Sequence, residues 1–444
     1  MSGQVPAATE VLRSRHRDRI EVRQFRLVVT GGPDAGRVHD SRGERAVIGS
    51  HETADLRLED RAVSRFHCEV SLGDDAVRLR DLGSLNGTRV AGVPILDAFL
   101  VNGATFAIGR SEILFELSDG RVDVPLSRQE RFGRLIGASP AMRALYEVLE
   151  RAAPSDATVL LEGESGTGKE LAVESIHLAS GRGDGPLVVV DCGALTPSLL
   201  ESELFGYERG AFTGAASARG GAVEAAAGGT LFLDEIGELP VDLQPKLLRL
   251  LERHEVKRIG ESVYRKVDVR VVAATNRNLK LLVNERRFRS DLYYRLAVVR
   301  VVMPPLRDRL EDLPLLVDDL LRDIGVAGRP EAQEMRAPEY LAELARHGWP
   351  GNVRELRHYL QHSLLLSRPP APIAAEPPEA AGEPIAVDDQ LPFSQAREQA
   401  LGAFERRYLE AIVARHGGNV TAAARSSGVD RAHFYRLLRR NGLR

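Results

Sequence analysis

The sequence predicts a multidomain protein with three kinds of fold along the chain: an all-β sandwich, an α/β domain with a helical subdomain, and a small all-α domain. Residues 25–118 are short alternating apolar runs separated by turn clusters such as GGPDAG and NGT, which is typical of an antiparallel sandwich. Residues 132–367 alternate helix patterns with buried strand runs such as TLFLDE, which favours a mainly parallel sheet, with the helical subdomain at about 305–367. Residues 395–444 contain an amphipathic helix and two short helices separated at Gly428, which predicts the all-α domain.

Length and charge agree with three domains and indicate a nucleic-acid partner at one end. With 444 residues, of which 43% are hydrophobic, the chain can fill several cores. Residues 368–392 combine proline, alanine and acidic residues without a period, which is typical of a linker. The formal net charge is only −3, but the segment 401–444 contains nine Arg and three acidic residues. This local excess of positive charge predicts a domain that faces DNA.

Cysteine usage and hydropathy indicate a reducing compartment. Cys68 and Cys192 lie far apart in apolar strand-like runs, so we expect two reduced core residues and neither a disulfide framework nor a metal site. No run approaches the roughly 18 consecutive apolar residues of a membrane span. The N-terminal residues lack the apolar core of a secretion signal. We therefore expect a cytoplasmic protein with no membrane partner.

A glycine-rich segment, GESGTGKE, follows the strand-like run TVLL and precedes a helix pattern. This context predicts a phosphate-binding loop, because backbone N–H groups and the helix N-terminus can surround phosphate oxygens while Lys169 neutralises their charge. A plain glycine turn is the alternative for this segment by itself. The general pattern has Ser or Thr after the lysine to hold magnesium, whereas this chain has Glu170. The candidate nucleotide-binding residues of the loop are Gly163, Glu164, Ser165, Gly166, Thr167, Gly168, Lys169 and Glu170.

The run TLFLDE places two carboxylates, Asp234 and Glu235, at the end of a buried strand. Open α/β sheets bind ligands at the carboxyl ends of their strands, so we expect this pair near the phosphate loop. Asp234 would orient magnesium, directly or through water, and Glu235 would polarise the attacking water. Alone, such a pair is usually a solvated loop start, but beside a phosphate loop it indicates an ATPase. The expected cofactors are ATP and Mg²⁺, with Asp234 and Glu170 as candidate metal ligands.

Six segments occur in one order along the chain: GESGTGKE, ELFGYERGAFTGA, GTLFLDEIGELP, FRSDLYYRL, PPLRDR and WPGNVREL. In this order they resemble the AAA+ ATPases of the sigma-54-dependent transcriptional activators, the bacterial enhancer-binding proteins. The resemblance covers about residues 135–367 and continues into the C-terminal domain, and GAFTGA is its specific signature. It implies an activator that binds enhancer DNA and hydrolyses ATP as a ring, with a hexamer expected. The ring would remodel the closed complex of sigma-54 RNA polymerase holoenzyme into an open one.

The resemblance also implies roles for residues around the nucleotide. Ile136 and Gly137, in LIGAS, resemble the segment that forms the adenine pocket. Asn276 falls at the first sensor, where an amide can respond to the γ-phosphate, and Arg354 resembles the second sensor. Asp191 stands where family members often carry an asparagine that restrains the catalytic glutamate. A carboxylate near that glutamate would repel it unless one of the two is protonated or a metal lies between, so we expect a differently tuned switch.

Arg289 and Arg295 resemble the arginine fingers that such subunits insert into a neighbour's site. A planar, permanently charged guanidinium suits the charge that develops on phosphoryl oxygens, and such a contact contributes about 10³–10⁵ in rate. A surface ion pair is the alternative for each arginine by itself. Fingers that act in trans require a ring homo-oligomer.

The segment GAFTGA contains the expected contacts with sigma-54, which are Gly210, Ala211, Phe212, Thr213, Gly214 and Ala215. Its glycines allow conformations closed to other residues, so the loop can rise or fold down with the nucleotide state. The resemblance implies that Phe212 and Thr213 touch sigma-54. For the loop alone, the alternative is a hairpin tip with a packed phenylalanine.

The segments VIGSHETADLRLEDRAVSRFHCEV and DLGSLNGTRVAG resemble the forkhead-associated (FHA) domain, a sandwich that binds phosphothreonine proteins. The resemblance implies that Ser64 and Arg65 sit at the phosphate, that His67 braces the loop and that Asn86 binds the peptide backbone. The arginine that follows the first glycine in the family is Ser50 here, which removes a charge-assisted hydrogen bond of about 1.5–3 kcal/mol. Affinity is therefore expected to be weak or to use Arg65 or Arg57, and a sandwich without any ligand is the alternative. The candidate phosphopeptide residues are Ser50, Ser64, Arg65, Ser84 and Asn86.

The segment GGNVTAAARSSGVDRAHFYRLLRR resembles the Fis-type helix-turn-helix. The first turn of a recognition helix reaches base edges, and flanking basic residues hold phosphates. A solvated basic helix is the alternative for the segment alone. The expected core residues are Ala422, Ala423, Val429, Phe434 and Leu438. The candidate DNA contacts are Asn419, Thr421, Arg431, His433, Tyr435, Arg436, Arg439 and Arg440.

Two other function classes fit parts of the sequence. A phosphopeptide-binding adaptor with a degraded ATPase would have broken catalytic residues, whereas Lys169, Asp234, Glu235 and Arg289 are all present. A small-molecule kinase would need an acceptor site and no arginine fingers. The sequence therefore favours a phosphorylation-responsive transcriptional activator.

Overall fold

The computed structural model describes residues 13–15, 19–41, 43–73, 76–212, 215, 217–366, 406, 408–410, 412–413, 420 and 431–440. Contacts between Cα atoms divide the chain into two compact units, Met1–Pro372 and Ile373–Arg444. The first unit contains both the sandwich and the α/β domain. None of the described helices combines the length and apolar character that a membrane crossing requires.

The N-terminal domain consists of a seven-stranded and a five-stranded sheet around one core. Side chains of the strand at 19–31 alternate between core and surface, and Phe25 packs on Phe115 with ring centroids 5.7 Å apart. The pairing of this strand with the one at 111–125 continues to Arg19 opposite Pro125, so the sandwich extends beyond 25–118 at both ends. The strands are β1 (Arg13–Arg15), β2 (Arg19–Gly31), β3 (Val38–Asp40), β4 (Arg45–Gly49), β5 (Leu56–Arg57), β6 (Cys68–Leu72), β7 (Val77–Asp81), β8 (Thr88–Val90), β9 (Val93–Ile95), β10 (Asp97–Leu100), β11 (Thr105–Ile108) and β12 (Ser111–Pro125).

The α/β domain contains a wholly parallel five-stranded sheet, as its buried apolar runs predict. The sheet strands are β15 (Val159–Glu162), β16 (Leu187–Asp191), β19 (Thr230–Asp234), β22 (Arg270–Thr275) and β23 (Val299–Val302), in the spatial order β16, β19, β22, β15, β23. Every residue of β22 is buried, which is typical of a strand in a sheet that is covered on both faces. The carboxyl ends of all five strands share one edge. Three two-stranded ribbons accompany this sheet: β13 (Arg131–Phe132) with β14 (Leu135–Ile136), β17 (Gly206–Tyr207) with β18 (Arg219–Gly220), and β20 (Glu255–Val256) with β21 (Arg265–Lys266).

Helices surround the parallel sheet and form a subdomain after it. The helices are α1 (Pro140–Ala152), α2 (Lys169–Leu178), α3 (Pro197–Phe205), α4 (Ala222–Ala225), α5 (Gln244–Arg253), α6 (Leu279–Asn284), α7 (Ser290–Leu296), α8 (Leu313–Asp323), α9 (Pro330–Glu334), α10 (Pro338–Leu344) and α11 (Asn352–Leu366). The helical subdomain has its own core, in which Trp349 is fully buried and its indole N–H donates to the carbonyl of Leu344 at 2.9 Å. Single-turn 3₁₀ helices at 306–308 and 310–312 connect it to the sheet.

The described part of the C-terminal unit contains a small apolar core of Leu409, Ile412, Val420, Phe434 and Leu438, of which the last two were predicted. Phe434 and Leu438 lie on α12 (Arg431–Arg440). The predicted core residues Ala422, Ala423 and Val429 and the predicted linker at 368–392 lie outside the described residues.

Both cysteines are free and buried, as the sequence predicts. Burial raises the pKa of the Cys68 thiol, and it raises the pKa of Cys192 to about 12. Neither thiol is therefore a reactive thiolate.

Candidate nucleotide site and recognition surfaces

The glycine-rich loop connects β15 to α2 at the carboxyl edge of the sheet. Lys169 is 9% exposed, and its ammonium group donates to the carbonyls of Gly163 at 2.9 Å and Glu164 at 3.1 Å. Burial lowers the pKa of Lys169, while the charges of Glu235 and Asp234 act to raise it. The loop therefore holds its one cation next to the carboxylate pair from β19, where phosphate oxygens would replace the carbonyls as partners.

The helical subdomain is bonded directly to this loop. Arg354 donates to the Ser165 hydroxyl at 2.7 Å, and the Asn352 amide donates to the Ser165 carbonyl at 3.0 Å. Arg307 pairs with the Glu164 carboxylate at 2.6 Å, and this hydrogen bond lowers the pKa of Glu164. At Gly166 a Cβ atom would lie 2.3 Å from the carbonyl oxygen of Gly351, so only glycine permits this approach.

Sequence reasoning identified Arg354 in this set but gave no roles to Arg307 and Asn352. Arg307 lies in the motif PPLRDR and Asn352 in WPGNVREL, each close behind a proline. That arrangement was the available signal.

Two further residues next to the subdomain contact the nucleotide site: Asp312 bonds to the predicted adenine segment, and Arg309 bonds to the phosphate loop. Asp312 is fully buried and accepts the backbone N–H groups of residues 138–139 at 2.7 Å each. Gly137, just before them, donates its own N–H to the Glu130 carbonyl at 3.0 Å, and Ile136 is 8% exposed. Arg309 is also buried and donates to the Thr167 carbonyl in the phosphate loop at 2.9 Å. Buried charges in these positions link both parts of the nucleotide site to the subdomain, and the sequence analysis did not identify either residue.

The predicted carboxylates lie at the expected edge of the sheet. Asp234 ends β19 and accepts the N–H of Glu235 at 2.9 Å. Glu235 has a left-handed backbone with φ 48°, which is uncommon for a side chain of this kind and turns the chain sharply after the strand. Its carboxylate accepts the N–H of Asn276, at the end of β22, at 3.2 Å. Three of the predicted residues are thus brought together from two neighbouring strands.

Asp191 ends β16 in register with Asp234. Its carboxylate accepts the N–H groups of Gly193 at 2.8 Å and Ala194 at 3.2 Å. It therefore caps the turn of its own loop, and Glu235 is held instead by the backbone at Asn276. Two N–H donors stabilise the Asp191 charge, and the differently tuned switch at Glu235 stays a prediction.

The two candidate metal ligands differ in position. Asp234 lies at the strand end beside Lys169 and Glu235, whereas Glu170 is exposed in the first turn of α2. No cluster of three or more His, Cys, Asp or Glu able to hold a metal occurs among the described residues. Magnesium next to a nucleotide needs only one or two protein carboxylates beside phosphates and water, so Asp234 fits this requirement.

Both finger candidates lie on or beside α7. Arg289 precedes the helix and pairs with Asp291 at 2.7 Å, and this hydrogen bond raises the pKa of Arg289. Arg295 pairs with Glu252 at 3.3 Å. Both are exposed surface pairs, and within the described part of the chain neither guanidinium bonds to the phosphate loop. Such exposed pairs are weak, so either guanidinium can exchange its carboxylate for another anion.

The GAFTGA segment emerges from the ribbon of β17 and β18. The N–H of Gly210 donates to the carbonyl of Ala215 at 2.9 Å, which closes a turn, and Gly210 has φ 82°. Phe212 is 47% exposed and stands edge-on against Tyr207, with centroids 5.0 Å apart. Ala211 packs against Gly260 in the loop between β20 and β21. Thr213 and Gly214 lie outside the described residues.

The candidate phosphopeptide residues meet at one end of the sandwich. The Ser64 hydroxyl accepts the N–H of Leu85 at 3.0 Å, and the Ser64 carbonyl accepts the N–H of Ser50 at 3.0 Å. Asn86 donates to the Ala62 carbonyl at 2.7 Å. These bonds join the loop after β5 to the loop before β8 and leave Arg65 exposed.

His67 braces this loop, as the resemblance implies. It is fully buried, its Nδ1 accepts the N–H of Ser64 at 3.1 Å, and its Nε2 donates to the Gly87 carbonyl at 3.2 Å. Burial lowers the pKa of His67, which keeps the ring neutral in the tautomer these bonds require. Ser84 is turned inward and donates to Asp81 at 2.6 Å.

Of the candidate DNA contacts, Arg439 and Arg440 are exposed at the end of α12. Arg431, His433, Tyr435 and Arg436 lie on the same helix, and the structure describes only their backbone. Asn419 and Thr421 lie outside the described residues.

Comparison with known families divides the chain in the same places as the fold. Residues 135–302 match the sigma-54 interaction domain, residues 307–377 the AAA+ ATPase lid domain, and residues 400–440 the Fis family of bacterial regulatory proteins. Residues 28–119 match the cytoplasmic domain of the inner membrane component of T3SS, a different description from the FHA resemblance.

Individual proteins are similar to parts of this chain. Transcriptional regulatory protein ZraR of Salmonella typhi is 44% identical over 310 residues, which cover 70% of this chain and 69% of that protein. The crystal structure of NtrX from Brucella abortus in complex with ADP is 37% identical, covers 70% of each chain and has a TM-score of 0.49. For the sandwich, a solved structure described as a structural and functional analysis of phosphothreonine-dependent FHA domain interactions is 31% identical. It covers 22% of this chain and 99% of that chain, with a TM-score of 0.20.

Proposed function

Because this chain belongs to the sigma-54-dependent transcriptional regulators, we propose that it binds enhancer DNA and uses ATP to open promoters held closed by sigma-54 RNA polymerase. The chain is an AAA+ ATPase with a Fis-type DNA-binding domain. The observation that carries the proposal is the nucleotide site. Its phosphate loop and strand-end carboxylates are assembled within one chain, while Arg289 and Arg295 lie in exposed pairs elsewhere.

In the bound state, the loop N–H groups and Lys169 would hold the phosphates of ATP. Asn352 and Arg354, which contact Ser165 in the same loop, would move the helical subdomain when those phosphates change. Magnesium bound near Asp234 would neutralise charge on the β- and γ-phosphates. The nucleotide state would therefore be transmitted to the helical subdomain by Asn352 and Arg354, which contact the loop directly.

Hydrolysis would depend on Glu235. Its carboxylate lies at the carboxyl edge of the sheet, held by the N–H of Asn276, where it can accept the proton of an attacking water. Asn276 is the predicted first sensor. Loss of the γ-phosphate at Glu235 would therefore change the hydrogen bond between the Glu235 carboxylate and the Asn276 N–H. Glu235 thus serves as the general base and as a link to the sensor.

A neighbouring subunit would complete the site. Arg289 and Arg295 of one subunit would reach the γ-phosphate of the next, which requires a closed ring, and we propose a hexamer. The exposed Phe212 and its glycine-hinged loop would then act on sigma-54 as the nucleotide state changes.

We also propose that the sandwich recognises phosphothreonine proteins. Support comes from Ser64 and the exposed Arg65 at loop tips, from Asn86 beside them and from the buried His67 that fixes the loop. Calorimetry with phosphothreonine peptides and the same peptides without phosphate tests this point. Equal binding of the two sets would leave a sandwich without a phosphate ligand.

The activator function is tested by transcription in vitro. We expect open complexes at a sigma-54 promoter only when this protein and hydrolysable ATP are both present, and none with polymerase carrying another sigma factor. Promoter opening without nucleotide, or without sigma-54, would contradict the proposal.

A further inference from the structure

The recognition loops of the sandwich do not face solvent alone, because two helices of the ATPase domain pack against them. Asn284, the last residue of α6, lies between two of these loops. Its amide N–H₂ donates to the Leu82 carbonyl at 2.8 Å and to the Phe66 carbonyl, and its amide oxygen accepts the Phe66 N–H at 3.4 Å. One ATPase side chain thus satisfies three backbone groups of the sandwich.

Apolar packing makes the two domains continuous at this place. Phe66 is 1% exposed, and its ring lies edge-on to Tyr293 with centroids 5.6 Å apart. Three sandwich residues, Val47, Phe66 and Leu82, belong to the same buried cluster as the core of the ATPase sheet. A Cβ atom at Gly83 would lie 2.2 Å from the Leu281 side chain, so the loop approaches α6 closely.

The contact continues onto α7 through the residues expected to meet phosphate. Arg65 donates to the Ser290 hydroxyl at 3.4 Å, and the neighbouring His51 ring stacks on Tyr294 with centroids 4.5 Å apart. The hydroxyls of Thr53 and Tyr294 are hydrogen-bonded. Ser290 is the first residue of α7 and directly follows Arg289. The sandwich therefore contacts the start of α7, next to the first finger candidate.

We propose that α6 and α7 are an internal ligand of the sandwich, and that a phosphothreonine peptide competes with them and thereby frees α7. The proposal rests on the proposed phosphothreonine recognition. Arg65 cannot serve a phosphate and Ser290 together in one geometry, and a doubly charged phosphate is the stronger partner for its guanidinium. A released sandwich uncovers the surface beside Arg289 that a neighbouring subunit must approach.

The competition predicts that weakening the internal contact strengthens phosphopeptide binding. In the full chain, Asn284→Ala removes three hydrogen bonds and leaves backbone groups of Phe66 and Leu82 unpaired when the domains are docked. We expect the affinity for a pool of phosphothreonine peptides with randomised flanks to rise about tenfold or more by calorimetry, because the fraction of competent sandwich rises. The matched control is Glu285→Gln, the next residue, which is exposed and pairs only with Arg287 among the described residues. It should bind the pool like the unsubstituted chain.

A second measurement reports docking without any peptide. Hydrogen exchange of the backbone segments 64–85 and 279–296 should accelerate together in Asn284→Ala and remain unchanged in Glu285→Gln. Tyr294→Phe removes only the hydroxyl bonded to Thr53 and should accelerate the same segments less, which provides a milder variant whose fold is retained. In the unsubstituted chain, the phosphothreonine pool should produce the same acceleration in 279–296.

The outcomes separate the two proposals. Preference for phosphothreonine with equal affinity in all variants, and no change in 279–296 on peptide binding, would overturn the competition and leave phosphothreonine recognition intact. Faster exchange in Asn284→Ala without phosphothreonine preference in any variant would overturn phosphothreonine recognition, and the competition with it. Unchanged exchange in Asn284→Ala would show that this contact does not hold the domains together, and would overturn the internal ligand itself.

Discussion

Two loops of this chain are suited to phosphate, and they are built in opposite ways. The loop at 163–170 would surround a phosphate with backbone N–H groups beside the nearly buried Lys169, and Asn352 and Arg354 are bonded to the loop at Ser165. The sandwich instead presents Ser64 and an exposed Arg65 at loop tips, and the same loops contact α6 and α7. In the first site, the groups that phosphate would displace from Lys169 are carbonyls of the loop itself, whereas in our proposal the second site must release another domain in order to bind.

This difference assigns the two sites different dependencies. Under the proposed function, the phosphate loop binds nucleotide within one chain, and hydrolysis needs a guanidinium from a neighbouring subunit. In our proposal, phosphopeptide binding by the recognition loops is opposed by α6 and α7, which belong to the same chain and are therefore always present. Helix α7 and the residue before it take part in both proposals: Arg289 and Arg295 are the finger candidates, and Ser290 and Tyr294 contact the sandwich.

The largest expected effect tests whether the nucleotide site is completed in trans. Arg289→Ala should lower the rate of ATP hydrolysis by about 10³–10⁵ at saturating ATP, measured by phosphate release, because the transition-state charge loses its guanidinium. Arg287→Ala is the matched control, since Arg287 is exposed two residues earlier and pairs with Glu285. Mixing the Arg289→Ala chain with a Lys169→Ala chain should restore hydrolysis, because each supplies what the other lacks. Failure of this mixture to hydrolyse ATP would place the arginine in its own site.

A slightly smaller effect is expected for the general base. Glu235→Gln keeps the shape of the side chain but cannot accept a proton, so ATP should still bind while turnover falls by about 10²–10⁴. Binding is followed with a fluorescent ATP analogue and turnover by phosphate release. The control Glu238→Gln removes a carboxylate from the next turn, where it pairs with Arg277, and should hydrolyse ATP normally. Rapid turnover in Glu235→Gln would remove Glu235 from the mechanism.

A substitution in the GAFTGA loop should affect promoter opening without affecting ATP hydrolysis. Thr213→Ala should leave the ATPase rate unchanged and reduce open-complex formation at a sigma-54 promoter about tenfold or more, the effect of losing roughly 1.4 kcal/mol of contact free energy. Ser217→Ala removes a hydroxyl from an exposed residue outside the motif and should open promoters normally. Normal transcription by Thr213→Ala would exclude Thr213 as a contact of sigma-54.

How far the sequence predicts each region follows from how local its interactions are. The phosphate loop and the strand-end carboxylates were identified because strand, glycines and lysine are adjacent in the chain. The Arg307 to Glu164 pair joins residues 143 positions apart, and the Asn284 to Phe66 contacts join residues 218 positions apart. No local period encodes such contacts, which arise only when two elements pack. The left-handed backbone of Glu235 has no signal in its own segment, whereas the hydrogen bonds from Gly193 and Ala194 to Asp191 are local and typical of an aspartate that caps a turn.

The smallest expected effect concerns the pH dependence of the sandwich contact. Lys280 on α6 is 8% exposed and lies 3.6 Å from Glu69 of the sandwich. Burial lowers the pKa of Lys280 from 10.5 to about 8, with Arg300 acting in the same direction and with Glu69, Glu162 and Asp55 opposing it. Below about pH 8 the lysine is charged in the docked and the released states, so the cost of burying that charge opposes docking in full. Between about pH 8 and the ordinary pKa the released state binds more protons, so docking strengthens as the pH rises.

Affinity for the phosphothreonine pool should therefore fall about threefold as the pH is raised from about 7.5 to about 8.5. The charge of the phosphate group is constant over this range, because its second pKa is about 6. Lys280→Met removes the titrating group, while Glu69 keeps its pairing with Arg45. This variant should give a flat pH profile and, at the lower pH, weaker phosphopeptide binding than the unsubstituted chain, because its docking carries no charge-burial cost. A profile that rises with pH, or one that stays steep in Lys280→Met, would show that burial of this lysine does not set the strength of docking.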